Sequence, residues 1–343
     1  MKKYFVLPLF LIQALIALAQ KDNQEPYLTK SLANETIKNI EVTTSGGNIS
    51  VTGAASGARI EVYISSNNSN TTLTKEEIKQ RLEELYDLDI SVSGGKLNAI
   101  AKNKKKITDW KRALNIGFRI YVPENVSTEL STSGGNISLS NIAGTQNFST
   151  SGGNLKLAKL SGKLKGRTSG GNIDLDDSKD DIDLTTSGGN VTANNCSGEL
   201  KLVTSGGTIE LNGLKGSIDA VTSGGNVRGK SIEGDLKAHT SGGNVHLNDL
   251  ACSLESSTSG GNLDISFSSF GKYVKLNNSW GNITLAFPKN KGVDLDLSGR
   301  ISNTRFENFD GKIDEDRVKG KLNGGGIPVS ADASSGRIKI ELK

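Results

Sequence analysis

Cysteine, proline, methionine and aromatic residues are all scarce in this chain of 343 residues, which has two, five, one and 5% of them respectively. Two cysteines, Cys196 and Cys252, cannot build a disulfide-stapled scaffold. Five prolines, with 41 glycines that fall far short of every third position, exclude a collagen-like helix. So few aromatics argue against the two ordinary compact cores that length alone suggests. Disorder needs high net charge and scarce aliphatics, whereas the formal charge is only +4 and Ile, Leu and Val recur regularly. After the N-terminus no apolar run approaches the roughly 20 residues that span a bilayer, so no membrane span is expected.

The N-terminal run reads as an address. Lys2 and Lys3 give a positive start, residues 4–18 are apolar except for Pro8 and Gln13, and Ala17-Leu18-Ala19 supplies a small-x-small cleavage site. The expected cut falls between Ala19 and Gln20, which sends the mature chain to the periplasm, the cell surface or the exterior. No cysteine follows the run to carry a lipid anchor.

What the chain has in abundance is repetition. Thr-Ser-Gly-Gly recurs with its serine at Ser133, Ser151, Ser169, Ser187, Ser205, Ser223, Ser241 and Ser259, every interval being 18 residues. The following residue is asparagine in all copies but one (Asn136, Asn154, Asn172, Asn190, Asn226, Asn244 and Asn262, with Thr208 the exception), and an aliphatic comes next. Counted from the asparagine, aliphatics favour offsets one, three, six, ten and twelve, and threonine takes offset fourteen. The copy opening at Ser205 shows them as Ile209, Leu211, Leu214, Ile218, Ala220 and Thr222. Two stretches of period two mean two strands with alternate side chains inward. A Gly-Gly pair, or the lone glycine at offset eight (Gly144, Gly162, Gly198, Gly216, Gly234), supplies the positive φ expected at the corners.

One such unit cannot bury its apolar edge alone, so the units must stack and pair their N–H and C=O groups with neighbours on both sides. The expected fold is all-β, a single-chain parallel β-solenoid (β-helix) of about 18 residues per coil. The handedness of parallel crossovers makes it right-handed. Stacking predicts an asparagine amide ladder and structural columns of threonine and serine hydroxyls. It also places Cys196 and Cys252 three coils apart, beyond disulfide reach, as free thiols.

The ends depart from the pattern. Thr44-Ser45-Gly46-Gly47-Asn48-Ile49 is an early copy, followed by a strand at residues 59–64. Thr74-Lys75-Glu76-Glu77 is a capping box ahead of Ile78, Leu82 and Leu85 at helical spacing. Ile90, Val92, Leu97 and Ala99 flank Gly94-Gly95 as a hairpin. This small helix-plus-hairpin insertion is expected to cap the N-terminal end, where open strand edges would otherwise invite fibre growth. At the other end Asn278-Ser279-Trp280-Gly281-Asn282-Ile283 repeats the motif with tryptophan in place of the first glycine. The aromatics gathered there are expected to seal the core, the rival reading being a stacking platform for sugars. The organisation is therefore a signal peptide at 1–19, a flexible mature N-terminus at 20–36, a first coil with its cap at 37–131, regular repeats at 132–265, and degenerate coils with a cap at 266–343.

Phe118-Arg119-Ile120-Tyr121-Val122-Pro123, then Leu130-Ser131-Thr132-Ser133-Gly134-Gly135-Asn136-Ile137, and later Ile283-Thr284-Leu285-Ala286-Phe287-Pro288, resemble the bacterial candidate-adhesin β-strand-repeat family of unknown function. The resemblance covers the chain from about residue 35 onward. It implies a β-solenoid, export and an adhesin-like role, and carries no catalytic residue to transfer. The motif's usual aspartate is asparagine here, which takes charge out of the ladder.

Chemistry is thinly spread. Asp174, Asp176, Asp177, Asp180, Asp181 and Asp183 suggest calcium, but they do not recur at the nine-residue spacing of calcium-binding solenoids, so a solvated face is expected and no metal site. His239 and His246 fall at outward positions with no ligand cluster around them. The outward offset-two positions are mixed in character, and no cofactor is indicated. Lys102, Lys104, Lys105, Lys106, Lys111 and Arg112 form the one basic group fit for polyanion contact, against the plainer reading of a solvated loop. An exported chain without an aromatic-basic motif is not expected to bind nucleic acid. The reading is an exported noncatalytic solenoid, an adhesin-like or cell-envelope scaffold whose partner is an envelope or extracellular polysaccharide or protein. The alternative is a carbohydrate-active β-helix enzyme, a lyase or hydrolase.

Overall fold

A computed structural model of the chain describes residues 25–68, 72–302 and 306–343. The expected signal peptide, with its cut between Ala19 and Gln20, lies outside the described residues. The fold is all-β apart from the α-helix Lys75–Leu85 and a short 3-10 turn, Trp110–Arg112, and its strands join in one long sheet that does not close on itself.

Two stacks of strands make the walls. Four-residue strands such as Leu155–Ala158, Ile173–Asp176, Val191–Asn194 and Ile209–Asn212 pair in parallel, so that Ile173 stands opposite Leu155 on one side and Val191 on the other. Eight-residue strands, among them Ser161–Thr168, Lys179–Thr186, Ser197–Thr204 and Lys215–Thr222, do the same; Leu200 lies between Ile182 and Ile218. Every partner is 18 positions away in sequence. Alternate residues are buried along both walls, and their aliphatics form one continuous core: Leu175, Leu184, Val191, Leu202, Ile209 and Leu211 are all fully inside.

The corners correct the assignment of the glycines. The lone glycine at offset eight does sit at positive φ, at 100° in Gly162 and 126° in Gly216. The residue at offset five turns the chain as well, and it need not be glycine: Asn141, Lys159, Asp177, Asn195, Ser231 and Asp249 all lie between 50° and 55°. The Gly-Gly pair of the repeat has no positive φ in any of its copies. Its second glycine is needed for a different reason. A Cβ on Gly207 would stand 2.0 Å from the carbonyl oxygen of Gly189, and one on Gly153 would stand 1.9 Å from that of Gly135. The turns stack too closely for any side chain there.

Threonine closes this turn from inside. In Thr204, 1% exposed, the hydroxyl donates to the Gly189 carbonyl one coil back (2.7 Å) and accepts the N–H of Gly207 in its own turn (3.2 Å). The same pair of bonds recurs at Thr150, Thr168, Thr186, Thr222, Thr240 and Thr258. Where the turn after Thr258 carries Asn278, its amide makes both. Thr204→Val keeps the shape but strands a buried donor and acceptor, and is expected to cost about 1–3 kcal/mol in chemical denaturation, whereas Thr204→Ser keeps both bonds and costs less.

The N-terminal end is built out of sequence order. Strand Asn39–Thr44 pairs with both Lys96–Asn103 and Ser127–Thr132, and Ile49–Gly53 pairs with both Leu114–Val122 and Ile137–Ser140. The early repeat therefore stacks directly on the regular array, and residues 96–122 lie on its other side. Beyond them the pairing turns antiparallel: Tyr86–Ser93 lies on Lys96–Asn103 through the Gly94-Gly95 turn, whose two residues have φ of 56° and 77°. Arg59–Ser66 likewise lies on Leu114–Val122, with Leu28–Ser31 outermost. The helix begins at the capping box, with Thr74 accepting from Glu77 and Glu77 reaching back to Thr74, and buries Ile78, Leu82 and Leu85.

At the C-terminal end Ile327–Leu342 returns onto Leu263–Asn278 and Ile283–Phe287, and Val293–Ile301, Arg317–Leu322 and Phe309–Ile313 continue the sheet. Phe267, Phe270 and Phe287 pack ring to ring at 4.8 and 5.2 Å, with Phe267 and Phe287 buried. Trp280 departs from the expected seal. It is 74% exposed, because it occupies the outer glycine position, where a side chain points into open solvent.

Candidate functional site

Each turn presents three chemically distinct groups at its surface. Ser133, Ser151, Ser169, Ser187, Ser205, Ser223, Ser241 and Ser259 are all exposed, as are Ser45 in the turn before them and Ser279 in the turn after. Among the described residues none of these hydroxyls is bonded within the chain. Beside the serine runs the outer glycine, and beyond it the asparagine. The asparagine ladder differs in form from an amide-to-amide stack: the Oδ1 of Asn136, Asn154 and Asn172 each accepts the backbone N–H of the next asparagine at 2.7–2.8 Å. The ladder runs from Asn48 to Asn282 with one break at Thr208, and the Oδ1 of Asn282 accepts the N–H of Arg337. Asparagine serves as a backbone cap between coils, a role fixed by geometry, which leaves serine free for solvent.

Two tryptophans bracket this edge. Trp280 stands toward its C-terminal end in the glycine column, one turn before Ser335. Trp110, 71% exposed, stands at its N-terminal end, lining a concavity of about 300 Å³ with Ser45 and Gly46 of the first turn. Sequence reading named Trp280 among the end aromatics and passed over Trp110. No local signal marks Trp110, because residues 96–122 reach the first turn only through non-local pairing.

The basic group is partly neutralised. Arg112 hydrogen-bonds Glu84, Lys105 lies 3.5 Å from the same carboxylate, and Lys104 lies 3.8 Å from Asp87. The Arg112 hydrogen bond holds the Glu84 carboxyl below its ordinary range, outweighing the slight opposing effect of burial. Lys102, Lys106 and Lys111 stay exposed with no ion-pair partner among the described residues.

The aspartates do not converge. Asp176 accepts from Asn194 (2.8 Å), Asp180 from the N–H of Gly162 (2.9 Å), and Asp181 pairs with Lys163 (3.5 Å). Among the described residues no three His, Cys, Asp or Glu side chains gather as metal ligands would. His239 meets Ser257 at 2.5 Å and His246 meets Asn248 at 2.8 Å, both exposed. Glu41 and Glu129 stand opposite each other on neighbouring strands and line an open concavity of about 350 Å³, with Lys96 2.6 Å from Glu41. A smaller cleft of about 130 Å³ is lined by Tyr63 and Arg119, whose guanidinium stacks on the Tyr63 ring at 4.3 Å.

Both cysteines are buried free thiols. Burial pushes the Cys252 thiol up to about 12 from 9.0. Its stabilising protonation is thus complete below pH 9 and is lost as pH rises toward 12, so unfolding free energy should fall across that window. Titration with a thiol reagent at pH 8 is expected to find neither cysteine until denaturant is added, and Cys252→Ala should flatten the alkaline decline.

The profile of one family, described as Toastrack DUF4097, matches residues 22–341. The chain belongs to that family. This Toastrack DUF4097 chain is similar to three crystal structures. A candidate adhesin from Parabacteroides distasonis is 11% identical over 92% of this chain and 98% of its own, with a TM-score of 0.37. A candidate adhesin from Bacteroides fragilis is 15% identical over 91% and 96%, with a TM-score of 0.23. A candidate lipid-binding protein, also from P. distasonis, is 11% identical over 92% and 97%, with a TM-score of 0.29. No curated protein matches the Toastrack chain, and no helix among its described residues is long and apolar enough to cross a membrane.

Proposed function

We propose that this chain is an exported, noncatalytic, adhesin-like solenoid of the cell envelope. In this reading it is a right-handed stack of 18-residue coils, closed at its N-terminal end by the helix and hairpin, and it holds an extended polysaccharide along its serine edge. The observation that carries this reading is the pair of exposed tryptophans, Trp110 and Trp280, toward opposite ends of one row of exposed serine hydroxyls. A large apolar ring left in water next to unbonded hydroxyls has the chemistry of a sugar contact, in which the ring stacks on a pyranose face and hydroxyls bond its rim. Lys102, Lys106 and Lys111 add a place for an anionic polymer beside Trp110.

A glycan array, followed by titration of the best hit, tests this. Trp280→Ala is expected to weaken binding about tenfold or more while leaving the melting temperature within a few degrees, because the side chain is 74% exposed. Binding that is indifferent to both tryptophans would contradict the reading. The second reading, a glycan-cleaving enzyme, draws on Glu41 and Glu129 in their shared concavity. Release of reducing ends that is abolished by Glu129→Gln would establish it in place of the first.

A further inference from the structure

The wall of eight-residue strands carries an ordered charge pattern at offset eleven. In register, the outward residues run Lys165, Asp183, Lys201, Asp219, Lys237 and Glu255, then Lys275, which a register shift brings into the column from offset thirteen, alternating in sign at every step. In the neighbouring outward column Val203 and Val221 stand side by side, half-buried on an otherwise polar face. Successive rungs are about 4.8 Å apart and eight residues extend about 26 Å, so seven rungs make a flat face of roughly 800 Å². That is about what one partner contributes to a stable protein–protein interface.

We propose that this face binds a second copy of the same chain, face to face, about a two-fold axis parallel to the strands and midway between the rungs of Lys201 and Asp219. Such an axis reverses the order of the rungs and keeps each column on itself. Lys201 then meets Asp219 of the second copy, Asp183 meets its Lys237, and Lys165 meets its Glu255, each contact occurring twice by symmetry. The same axis sets Val203 against Val221 at the centre, an apolar contact ringed by ion pairs. A slip of one rung sets lysine on lysine and aspartate on aspartate, so the alternation selects the register as well as the partner. The one like-charge meeting, Asp181 with Asp235, is relieved by Lys163, 3.5 Å from Asp181.

Alternation also keeps like charges apart within one chain, where stacked rungs of one sign are unfavourable. Mixing separates the two roles. In a homodimer, Lys201→Glu alone sets two carboxylates against each other at each central contact, and Asp219→Lys alone sets two ammonium groups against each other there. A one-to-one mixture of the two variants restores opposite charges at both contacts, while the column within each chain stays disrupted.

Sedimentation velocity of the purified chain should show a dimer whose dissociation constant rises with salt. Each single variant should raise that constant by roughly 100-fold, about tenfold for each of its two reversed contacts. The mixture should return it to near the wild-type value, and melting curves should show both variants folded. A wild-type chain that remains monomeric at 100-fold the working concentration overturns the proposal. So does a mixture that fails to dimerise, or a face that needs Lys201 only to hold a charged polymer as a monomer.

Discussion

Gly207→Ala is expected to collapse the middle of the solenoid, while Gly206→Ala, one residue away, leaves it nearly unchanged. Both are glycines of the same Ser-Gly-Gly turn, and neither has a positive φ, so backbone freedom does not separate them. Space does. The added methyl at position 207 would stand 2.0 Å from the Gly189 carbonyl oxygen and 2.5 Å from its carbon. These are backbone atoms of the preceding coil, which cannot swing aside as a side chain can. The turn must lift away, and in lifting it breaks the bonds of Thr204 to Gly189 and Gly207. It also breaks the bond from the N–H of Thr208 to Asn190. A loss of about 4–5 kcal/mol, the range reserved for backbone clash and broken buried networks, is expected in urea unfolding. At position 206 the nearest atom to a new Cβ is 3.7 Å away, an ordinary contact, and the change should stay within about 1 kcal/mol. Trp280, which fills the equivalent outer position in the turn after Gly260, shows that this column admits even the largest side chain.

This contrast also marks where sequence stops informing. The inward positions were legible because burial and periodicity are one signal: Leu200, Leu202 and Thr204 alternate with Glu199, Lys201 and Val203 in sequence as they do in space. The two glycines of a pair look alike on paper, and only the distance to the neighbouring turn assigns one to close approach and the other to open solvent. The asparagine was legible as a column but not as a backbone cap, since Oδ1 finds its N–H one coil away.

Order in the N-terminal region was hidden for a topological reason. Asn39–Thr44 sits between strands that follow it by about 57 and 88 residues, and nothing in a local pattern fixes which lies on which side. For the same reason Ile338 pairing with Ile283 was out of reach. Of the candidate sites, the tryptophan bracket needed the fold to bring Trp110 beside Ser45. The charge column was already present at offset eleven, and an 18-residue alignment of outward positions, in addition to inward ones, was the signal that would have found it.

The second large effect follows from the spacing itself. Deleting residues 187–204 removes 18 positions and joins Thr186 to Ser205, so the Thr-Ser-Gly-Gly turn re-forms and Ile209 takes the place of Val191 opposite Ile173. Asp183 then lies beside Asp219, a like-charge pair that costs about 1 kcal/mol or less on an exposed face. Deleting residues 187–195 removes only nine positions, including the strand Val191–Asn194. One wall of the coil is lost, Ile173 and Ile209 lose their shared partner, and the core of Leu175 and Leu211 opens to water.

Thermal unfolding of these two deletions, followed by far-ultraviolet circular dichroism, is the most direct measurement of whether 18 residues make one coil. The longer deletion should fold with the strand signal of the parent and melt within a few degrees of it, and the shorter one should lose cooperative melting. If the nine-residue deletion melts like the parent, or the 18-residue deletion fails to fold, the chain is not a stack of coils in this register.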